Sequence, residues 1–367
     1  MAGSFVWRVS TKDSTTTSHG SCSCRAARWL ARSGSSCLAV AGNPCPVSAL
    51  KTARSKIAAR HRGLTHGDVI SPPASISELA QALGSACPGL NLSGVRLVDT
   101  GFGSIVLETG DGLILRVART AAVARGHAIE AVTLPHLARS LPVAIPVPCL
   151  LCPPTRELPF GAIGYAKMEG QPCQPGTATA ATGRDLGNFL AVLHQLDIRA
   201  FPAIPGQHAV WGAWSRLRDD TAAVLRDRLT SGENQRMSQW WERFLSDRAL
   251  REYRPAVRHG DLWYGNLLIR PDGSIAAVLD WEAVAIADPA QDLALTRYLG
   301  AGFTASVLDA YRRHDGAYDD QVEYRIEWHW QLRELTGLPL AAATGDQDEI
   351  AECIAKLRAG PIFSPVQ

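Results

Sequence analysis

The sequence predicts an α+β fold, in which a small antiparallel β-sheet with one helix is followed by a larger, mainly helical part. Residues 95–118 contain strand-like runs, and Asp111-Gly112, a dipeptide typical of tight hairpins, joins two of them. Beyond Thr182 the apolar residues adopt the spacing of a helix with one buried face. Pro271-Asp272-Gly273 predicts a second hairpin inside the helical part.

The first part of the fold is predicted from its apolar runs. Strands are expected at Val95–Val98, Ser104–Glu108, Leu113–Ala118 and Ala162–Ala166. A helix that contains Glu130 should run to about Ser140. The prolines of residues 141–148 forbid a helix there and predict an extended segment.

The second part is expected to begin with an amphipathic helix. Its buried face is marked by Leu186, Phe189, Leu190, Leu193 and Leu196. Thr182 and Asp185 are predicted to form the capping box at its start. The second hairpin should pair residues 267–269 with residues 275–279, and amphipathic segments continue toward the C-terminus.

Composition narrows the class of protein. The 367 residues are 46% hydrophobic and 20% charged, which is typical of a globular protein long enough for two lobes. The formal net charge of +2 argues against nucleic acid as a partner, because nucleic-acid-binding proteins usually concentrate a large basic excess on one face. No run of about eighteen apolar residues occurs, so no membrane span is expected. We expect a cytoplasmic protein, and the sequence leaves monomer and dimer open.

The nine cysteines do not form a recognisable framework. Because most are scattered, we expect them to be reduced, as in a cytosolic protein. Cys149 and Cys152 are spaced like half of a zinc site, but a second pair is lacking. We therefore interpret them as buried or linker residues.

Residues 1–70 differ in composition from the rest of the chain. They are rich in Ser, Thr, Arg and Ala, and Asp13 and Asp68 are the only acids before Glu78. This composition predicts an unstructured extension, with the folded part starting near Ser71. An arginine-rich transit peptide is the alternative interpretation.

One segment contains the residue types that phosphoryl transfer needs. His259-Gly260-Asp261 is followed by Asn266, and Asp280 stands at the end of the predicted hairpin. The reaction needs a carboxylate that accepts or orients the proton of the attacking hydroxyl, and oxygen ligands that hold magnesium against the phosphates. Asp261 is the predicted catalytic carboxylate, and Asn266 and Asp280 are the predicted Mg²⁺ ligands.

This constellation resembles the aminoglycoside phosphotransferase family, whose motif is His-Gly-Asp, four variable residues, Asn and a later Asp. His66-Gly67-Asp68 lacks such downstream partners. The resemblance implies a protein-kinase-like two-lobe fold, with an N-lobe at residues 71–167, a hinge at 168–171 and a helical C-lobe at 172–367. It also implies a phosphotransferase that moves the γ-phosphate of ATP, or of GTP, to a hydroxyl of a small molecule with Mg²⁺.

The resemblance also implies nucleotide-binding residues in the N-lobe and hinge. They are Gly101, Gly103, Ser104, Arg116, Glu130, Met168, Glu169 and Gly170. Arg116 takes the strand position where kinases usually place a lysine, and Glu130 matches its partner on the helix. Arginine keeps the charge and adds a planar fork suited to phosphate. A solvated strand residue is the alternative for Arg116.

Three further residues of the motif region receive supporting roles by the same resemblance. His259 is expected to brace the catalytic loop, and Asp292 to steady it. Glu282 either contacts a second magnesium ion or supports Asp280.

The acceptor is expected to bind to the last helices. Residues 315–352 contain ten acids and two arginines, a balance that attracts a cationic acceptor. Glu323 and Glu327 are candidate acceptor ligands at helical spacing, with a solvated helix face as the alternative. Trp328 and its aromatic neighbours would instead suit an apolar pocket for a macrolide, or belong to the core.

The substrate class therefore stays open at the level of sequence. An antibiotic such as an aminoglycoside is favoured, and a role in antibiotic resistance would follow from it. The alternatives are a macrolide, a tuberactinomycin peptide, choline, homoserine or an amino sugar. A nucleotide-binding pseudoenzyme is a different class, motivated by Arg116, but the intact Asp261, Asn266 and Asp280 argue against it.

Overall fold

The computed structural model describes residues 75–100 and 103–363, which form two compact units. The first unit contains residues 75–136 and 145–168, and the second contains residues 137–144 and 169–363. The extension predicted for residues 1–70 and the predicted nucleotide ligand Gly101 lie outside the described residues. Within the described part of the chain, no helix is both long and apolar enough to cross a membrane.

The first unit is an antiparallel sheet with two helices. Its strands are β1 (Arg96–Thr100), β2 (Ser104–Glu108), β3 (Leu113–Ala118), β4 (Pro148–Cys152) and β5 (Ala162–Ala166). Its helices are α1 (Ile76–Ala86) and α2 (Ala121–Leu137). The strand order is β1-β2-β3-β5-β4, and every neighbouring pair is antiparallel. The predicted antiparallel sheet is therefore confirmed, but the prediction of one helix is wrong, because α1 was missed.

Helix α1 is stabilised by an N-cap residue and by a buried apolar face. The side chain of Ser75 accepts a hydrogen bond from the backbone N–H of Glu78 and so caps the helix. The buried residues recur at helical spacing: Leu79, Ala82, Leu83 and Ala86. They pack in one apolar cluster with Leu107 and Leu115 of the sheet. Burial against the sheet stabilises a helix that is short for independent stability.

Cys87 and Cys152 form a disulfide between the C-terminal cap of α1 and the end of β4. The expectation of reduced cysteines is wrong for this pair, because the fold brings together two residues 65 positions apart. A crosslink that closes a loop of this length stabilises a protein by about 4 kcal/mol through the entropy of the unfolded chain. Within the described part of the chain, Cys149, Cys173 and Cys353 form no disulfide.

The second unit is mainly helical. Its longer helices are α3 (Ala180–Gln195), α4 (Gln207–Leu225), α5 (Ser231–Ser246), α8 (Ala301–Arg313), α9 (Val322–Thr336) and α11 (Gln347–Ala359). Its shorter helices are α6 (Arg248–Arg251), α7 (Ala290–Leu295) and α10 (Leu338–Thr344). Its strands are β6 (Gln171–Pro172), β7 (Ala256–Arg258), β8 (Leu267–Ile269), β9 (Ile275–Val278) and β10 (Ala285–Ala287). They form a β6-β8-β9 sheet and a β7-β10 pair.

Helix α3 begins earlier than predicted. Thr179 is its N-cap, and the side chains of Thr179 and Thr182 cap each other's backbone N–H groups. The predicted capping box of Thr182 and Asp185 is therefore wrong, since the helix already includes Thr182. The carboxylate of Asp185 instead accepts a hydrogen bond from the N–H of Ile275 at the start of β9.

An aromatic core fills the second unit. Trp240 and Phe244 of α5 stack at 5.2 Å between ring centroids, and Trp328 of α9 lies 5.4 Å from Trp240. Trp328 is only 8% exposed. This core fixes α9 by the face that contains Trp328.

Candidate active site

The catalytic loop leaves strand β7 through a turn that only glycine fits. Gly260 has a φ of 90°, and a Cβ there would lie 2.5 Å from the carbonyl oxygen of Ala283. The carboxylate of Asp292 accepts hydrogen bonds from the backbone N–H groups of His259 and Gly260, both at 2.7 Å. These bonds fix the position of the loop immediately before Asp261.

His259 connects this loop to the hairpin formed by β8 and β9. Its Nδ1 accepts a hydrogen bond from the N–H of Asp261, so its Nε2 carries the proton that is donated to the carbonyl oxygen of Leu279 at 2.8 Å. Burial lowers the pKa of His259, although the nearby charge of Asp292 opposes this. The ring therefore stays neutral and holds the loop.

The pKa of the Asp261 carboxyl group is raised, as is common for reactive carboxylates. Burial and then the nearby charge of Asp280 raise its pKa to about 7. The amide Nδ2 of Asn266 donates to the backbone oxygen of Asp261 at 2.7 Å and to its carboxylate at 3.3 Å, which opposes the rise. Such a carboxylate can accept a proton near neutral pH.

The hairpin places Asn266 and Asp280 at the same end. Leu267 pairs with Val278, and the N–H of Leu279 donates to the carbonyl oxygen of Asn266 at 2.8 Å. Asp280 follows with a φ of 60°, an uncommon backbone conformation for aspartate that occurs at functional sites. The structure thus brings all three predicted residues, Asp261, Asn266 and Asp280, together.

A buried network supports Asp292 from behind. Nε2 of His194 on α3 donates to the Asp292 carboxylate at 3.2 Å, and Nδ1 of His194 lies 2.8 Å from the hydroxyl of Tyr311 on α8. Burial alone would raise the pKa of Asp292, but the hydrogen bond from His194 and neighbouring positive charges hold it below its usual value. The carboxylate therefore stays ionised and keeps its acceptors for the loop.

His194, Tyr311 and Arg258 were not among the residues predicted from the sequence. Arg258 is 4% exposed and stands one residue before the motif, and the negative charges near it include those of Asp292 and Asp261. Its position in an otherwise apolar strand was the feature of the sequence that could have indicated a functional role for Arg258. His194 continues the buried face of α3, so its position was predictable, but its partners on α7 and α8 were not.

The first unit contains a buried cation on the face of the sheet opposite α1. Nη1 of Arg116 lies 3.1 Å from Oε1 of Glu130 on α2, and the hydroxyl of Tyr165 donates to the same carboxylate. Burial, and then the charge of Arg116, lower the pKa of His127 well below its usual value. Ser104 lies 3.4 Å from that ring. The solvated alternative for Arg116 does not describe this site, because only 8% of the residue is exposed.

The remaining predicted nucleotide residues lie outside the helices and strands. The carbonyl oxygen of Gly103 accepts from the N–H of Arg119. Met168 is the last residue of the first unit, and at Glu169 the chain returns to the second unit. Gly170 has a φ of 123°, and a Cβ there would lie 2.9 Å from Leu268, so a larger residue would not fit. The lobe boundaries predicted at residues 167 and 172 stay predictions.

The predicted acceptor ligands already have partners within the second unit. Glu323 pairs with Arg312 at 2.9 Å, and Glu327 pairs with Arg297 at 2.6 Å. Trp328 packs in the aromatic core of α5 and α9, where little of its surface is left for an acceptor. Glu282, the predicted support of Asp280, is exposed and follows Trp281.

A family model and a curated relative both match this chain. The model of the phosphotransferase enzyme family matches residues 96–329. The uncharacterized protein YcbJ of Bacillus subtilis (strain 168) is 25% identical over 260 residues, which are 66% of this chain and 81% of YcbJ.

Solved structures of similar fold include the GDP and kanamycin complex of APH(2")-IIia, with a TM-score of 0.67 and 19% identity. That match covers 77% of this chain and 97% of the other. The macrolide 2'-phosphotransferase MphH from Brachybacterium faecium has a TM-score of 0.58 and 25% identity, and the match covers 80% of this chain and 99% of MphH. These matches confirm the predicted protein-kinase-like fold.

Proposed function

This chain belongs to the phosphotransferase enzyme family and is a phosphotransferase with an alcohol group as acceptor, and we propose that its donor is the γ-phosphate of ATP. The observation that carries the proposal is the pair of Asp261 and Asp280. Their mutual repulsion contributes to the raised pKa of Asp261, and Asn266 donates hydrogen bonds to Asp261 and accepts one from the N–H of Leu279, the residue before Asp280. Carboxylates gathered in this way suit an Mg-nucleotide and a hydroxyl.

In the proposed reaction, the oxygen of the acceptor hydroxyl attacks the γ-phosphorus of ATP. The bond from this phosphorus to the oxygen bridging the β- and γ-phosphates breaks, and ADP leaves with that electron pair. Asp261 accepts the hydroxyl proton, a role for which a pKa of about 7 is well matched. The network of Asp292 and His194 keeps Asp261 in place during the transfer.

The donor set fits magnesium. The amide nitrogen of Asn266 is engaged by Asp261, which leaves its oxygen to bind a hard cation, and Asp280 offers a carboxylate. When bound, Mg²⁺ would neutralise phosphate charge. By weakening the repulsion between Asp261 and Asp280, the cation would also keep Asp261 ionised.

The proposed phosphate-binding cation is Arg116. Glu130 and Tyr165 fix its guanidinium in the first unit. Gly103 precedes β2 and Ser104 begins it, and both are small residues that allow phosphate to approach the backbone. GTP is an alternative donor, since the similar structures include GDP complexes as well as an ATP complex of APH(2")-IIa. An aminoglycoside or a macrolide is the proposed kind of acceptor, by similarity to APH(2")-IIia and MphH.

The test is the substitution Asp261→Asn. We expect phosphate transfer to fall by about 100-fold or more, because the amide does not accept the hydroxyl proton, whereas ATP should still bind. Transfer is measured with radiolabelled ATP, and binding by calorimetry. Asp309→Asn, which makes the same change at an exposed site on α8, is the matched control and should leave transfer unchanged. Near-normal transfer by Asp261→Asn would refute the proposal.

A further inference from the structure

Four aromatic side chains form a row of ring contacts from the catalytic loop to α9. Trp263 and Tyr264 of the loop lie 4.7 Å apart between ring centroids. Tyr298, in the 3-10 turn Thr296–Leu299, lies 6.4 and 6.3 Å from them, and Trp330 of α9 lies 5.0 Å from Tyr298. We call these four residues the aromatic wall. None of them has a part in the chemistry proposed above.

The aromatic wall is adjacent to the reacting carboxylate. The turn Tyr264–Asn266 begins three residues after Asp261 and packs against the turn that contains Tyr298. Burial and the charge of Glu334 raise the pKa of Tyr298 to about 12, and the charge of Asp261 adds to this effect. Tyr264, Tyr298 and Trp330 are half-buried, so each leaves part of its surface for a ligand.

One end of the wall is held by an arginine. The guanidinium of Arg333 lies 3.4 Å from the ring centroid of Trp330 and 5.8 Å from that of Tyr298. Its Nη2 is paired with Glu334 at 2.8 Å. Stacking and pairing together fix the Trp330 ring before any ligand arrives, which lowers the entropy cost of binding against it.

Among the described residues, the two acids of α9 next to the wall do not offer a polycation an uncompensated charge. Glu327 is neutralised by Arg297, and Glu334 by Arg333. An approaching polycation would also meet these two arginines. An acceptor with an apolar surface would instead gain from covering the half-buried rings, at about 25 cal/mol for each Å² removed from water.

Resting on the proposed function, we propose that the acceptor is an alcohol with an extended apolar face and at most one positive charge, and that Tyr298 and Trp330 bind this face. The wall determines specificity by holding the apolar face so that the hydroxyl meets Asp261. The transfer itself is unchanged: the hydroxyl oxygen bonds to the γ-phosphorus, and Asp261 takes the proton.

The experiment compares two probes, a macrolide with one amine and the polycation kanamycin, by radiolabelled phosphate transfer. We expect wild type to prefer the macrolide in kcat/KM by tenfold or more. Trp330→Ala should lower kcat/KM for the macrolide by about tenfold to 100-fold, the effect of losing one central aromatic contact, and Trp330→Phe should recover most of it. Tyr318→Ala is the matched control, because Arg312 stacks on Tyr318 outside the wall; it should change kcat/KM less than twofold.

A second arm tests the charges. Arg297→Gln releases Glu327 and should raise kcat/KM for kanamycin relative to the macrolide. Preference of wild type for kanamycin, or a macrolide kcat/KM that Trp330→Ala leaves unchanged, would overturn this inference while Asp261-dependent transfer persists. Absence of Asp261-dependent transfer to both probes would overturn the proposed function as well. Circular dichroism of Trp330→Ala shows whether the variant is folded, and Trp330→Phe provides the test if it is not.

Discussion

Replacing Asp292 with asparagine should destabilise the protein and slow catalysis together, because one carboxylate serves both. It accepts the N–H groups of His259 and Gly260 at 2.7 Å each and a bond from His194 at 3.2 Å. Asparagine has one acceptor oxygen, so its NH₂ group would face one of these donors. It also removes a negative charge beside the buried guanidinium of Arg258.

The magnitude follows from these contacts. A hydrogen bond to a charged group contributes about 1.5–3 kcal/mol, and leaving one partner of a buried charged pair uncompensated costs about 3–5 kcal/mol. The two effects overlap, so we expect the free energy of unfolding of Asp292→Asn to fall by about 3–5 kcal/mol. That is a large part of the roughly 5–15 kcal/mol of a typical domain.

Urea unfolding measures this effect, with Asp309→Asn as the control. Asp309 pairs with Arg313 on the surface of α8 and its side chain is 60% exposed, so its substitution should cost less than about 1 kcal/mol. In the folded fraction of Asp292→Asn, kcat should fall more than the KM for ATP changes, since the loop before Asp261 loses its anchor. The reasoning would be refuted if Asp292→Asn lowered the free energy of unfolding by less than about 1 kcal/mol, as the control does, and also left kcat unchanged.

Two further changes test other parts of the structure. Arg116→Ala should raise the KM for ATP by about tenfold or more, because it removes the cation and leaves the buried Glu130 to repel phosphate. Arg116→Lys should recover much of the loss. Unchanged steady-state kinetics of Arg116→Ala would exclude Arg116 as the phosphate-binding cation. A hydrogen bond from Arg358 and then one from Thr230 lower the pKa of Glu233 to about 2. The contribution of ionised Glu233 to stability is therefore complete above about pH 5 and is lost as the pH falls toward 2. The free energy of unfolding should depend less on pH over this window in Glu233→Gln than in wild type. Parallel curves for the two proteins would contradict the assignment.

The sequence was most informative where contacts are local. Asp261 and Asn266 lie on one loop, and the hairpin at Asp272-Gly273 necessarily returns Asp280 to that loop. Turn chemistry and strand periodicity act over a few residues, so their outcome can be predicted without the rest of the chain. The same reasoning would have found α1, whose cap and buried spacing are complete in the sequence.

The remaining features depend on distant partners. The disulfide joins Cys87 to Cys152, and three of the ten acids predicted to attract a cation are paired with Arg297, Arg312 and Arg333. Charge counting treats acids and arginines as a sum over a segment, whereas their effect depends on which side chains meet. These ion pairs depend on how α8, α9 and the Thr296–Leu299 turn pack together. The net charge of the surface predicted to bind the acceptor could therefore not be predicted from composition.

Arg258 shows what the active site costs the fold. It is fully enclosed, and among the described residues its Nε and Nη1 have no hydrogen-bond acceptor. Such a position opposes stability, and burial indeed lowers the pKa of its guanidinium. Its charge, however, opposes the rise in the pKa of Asp261 and helps to keep Asp292 ionised. A neutral residue would relieve the burial cost but would leave these carboxylates to repel each other, so the buried arginine is better explained by the reactive site than by packing.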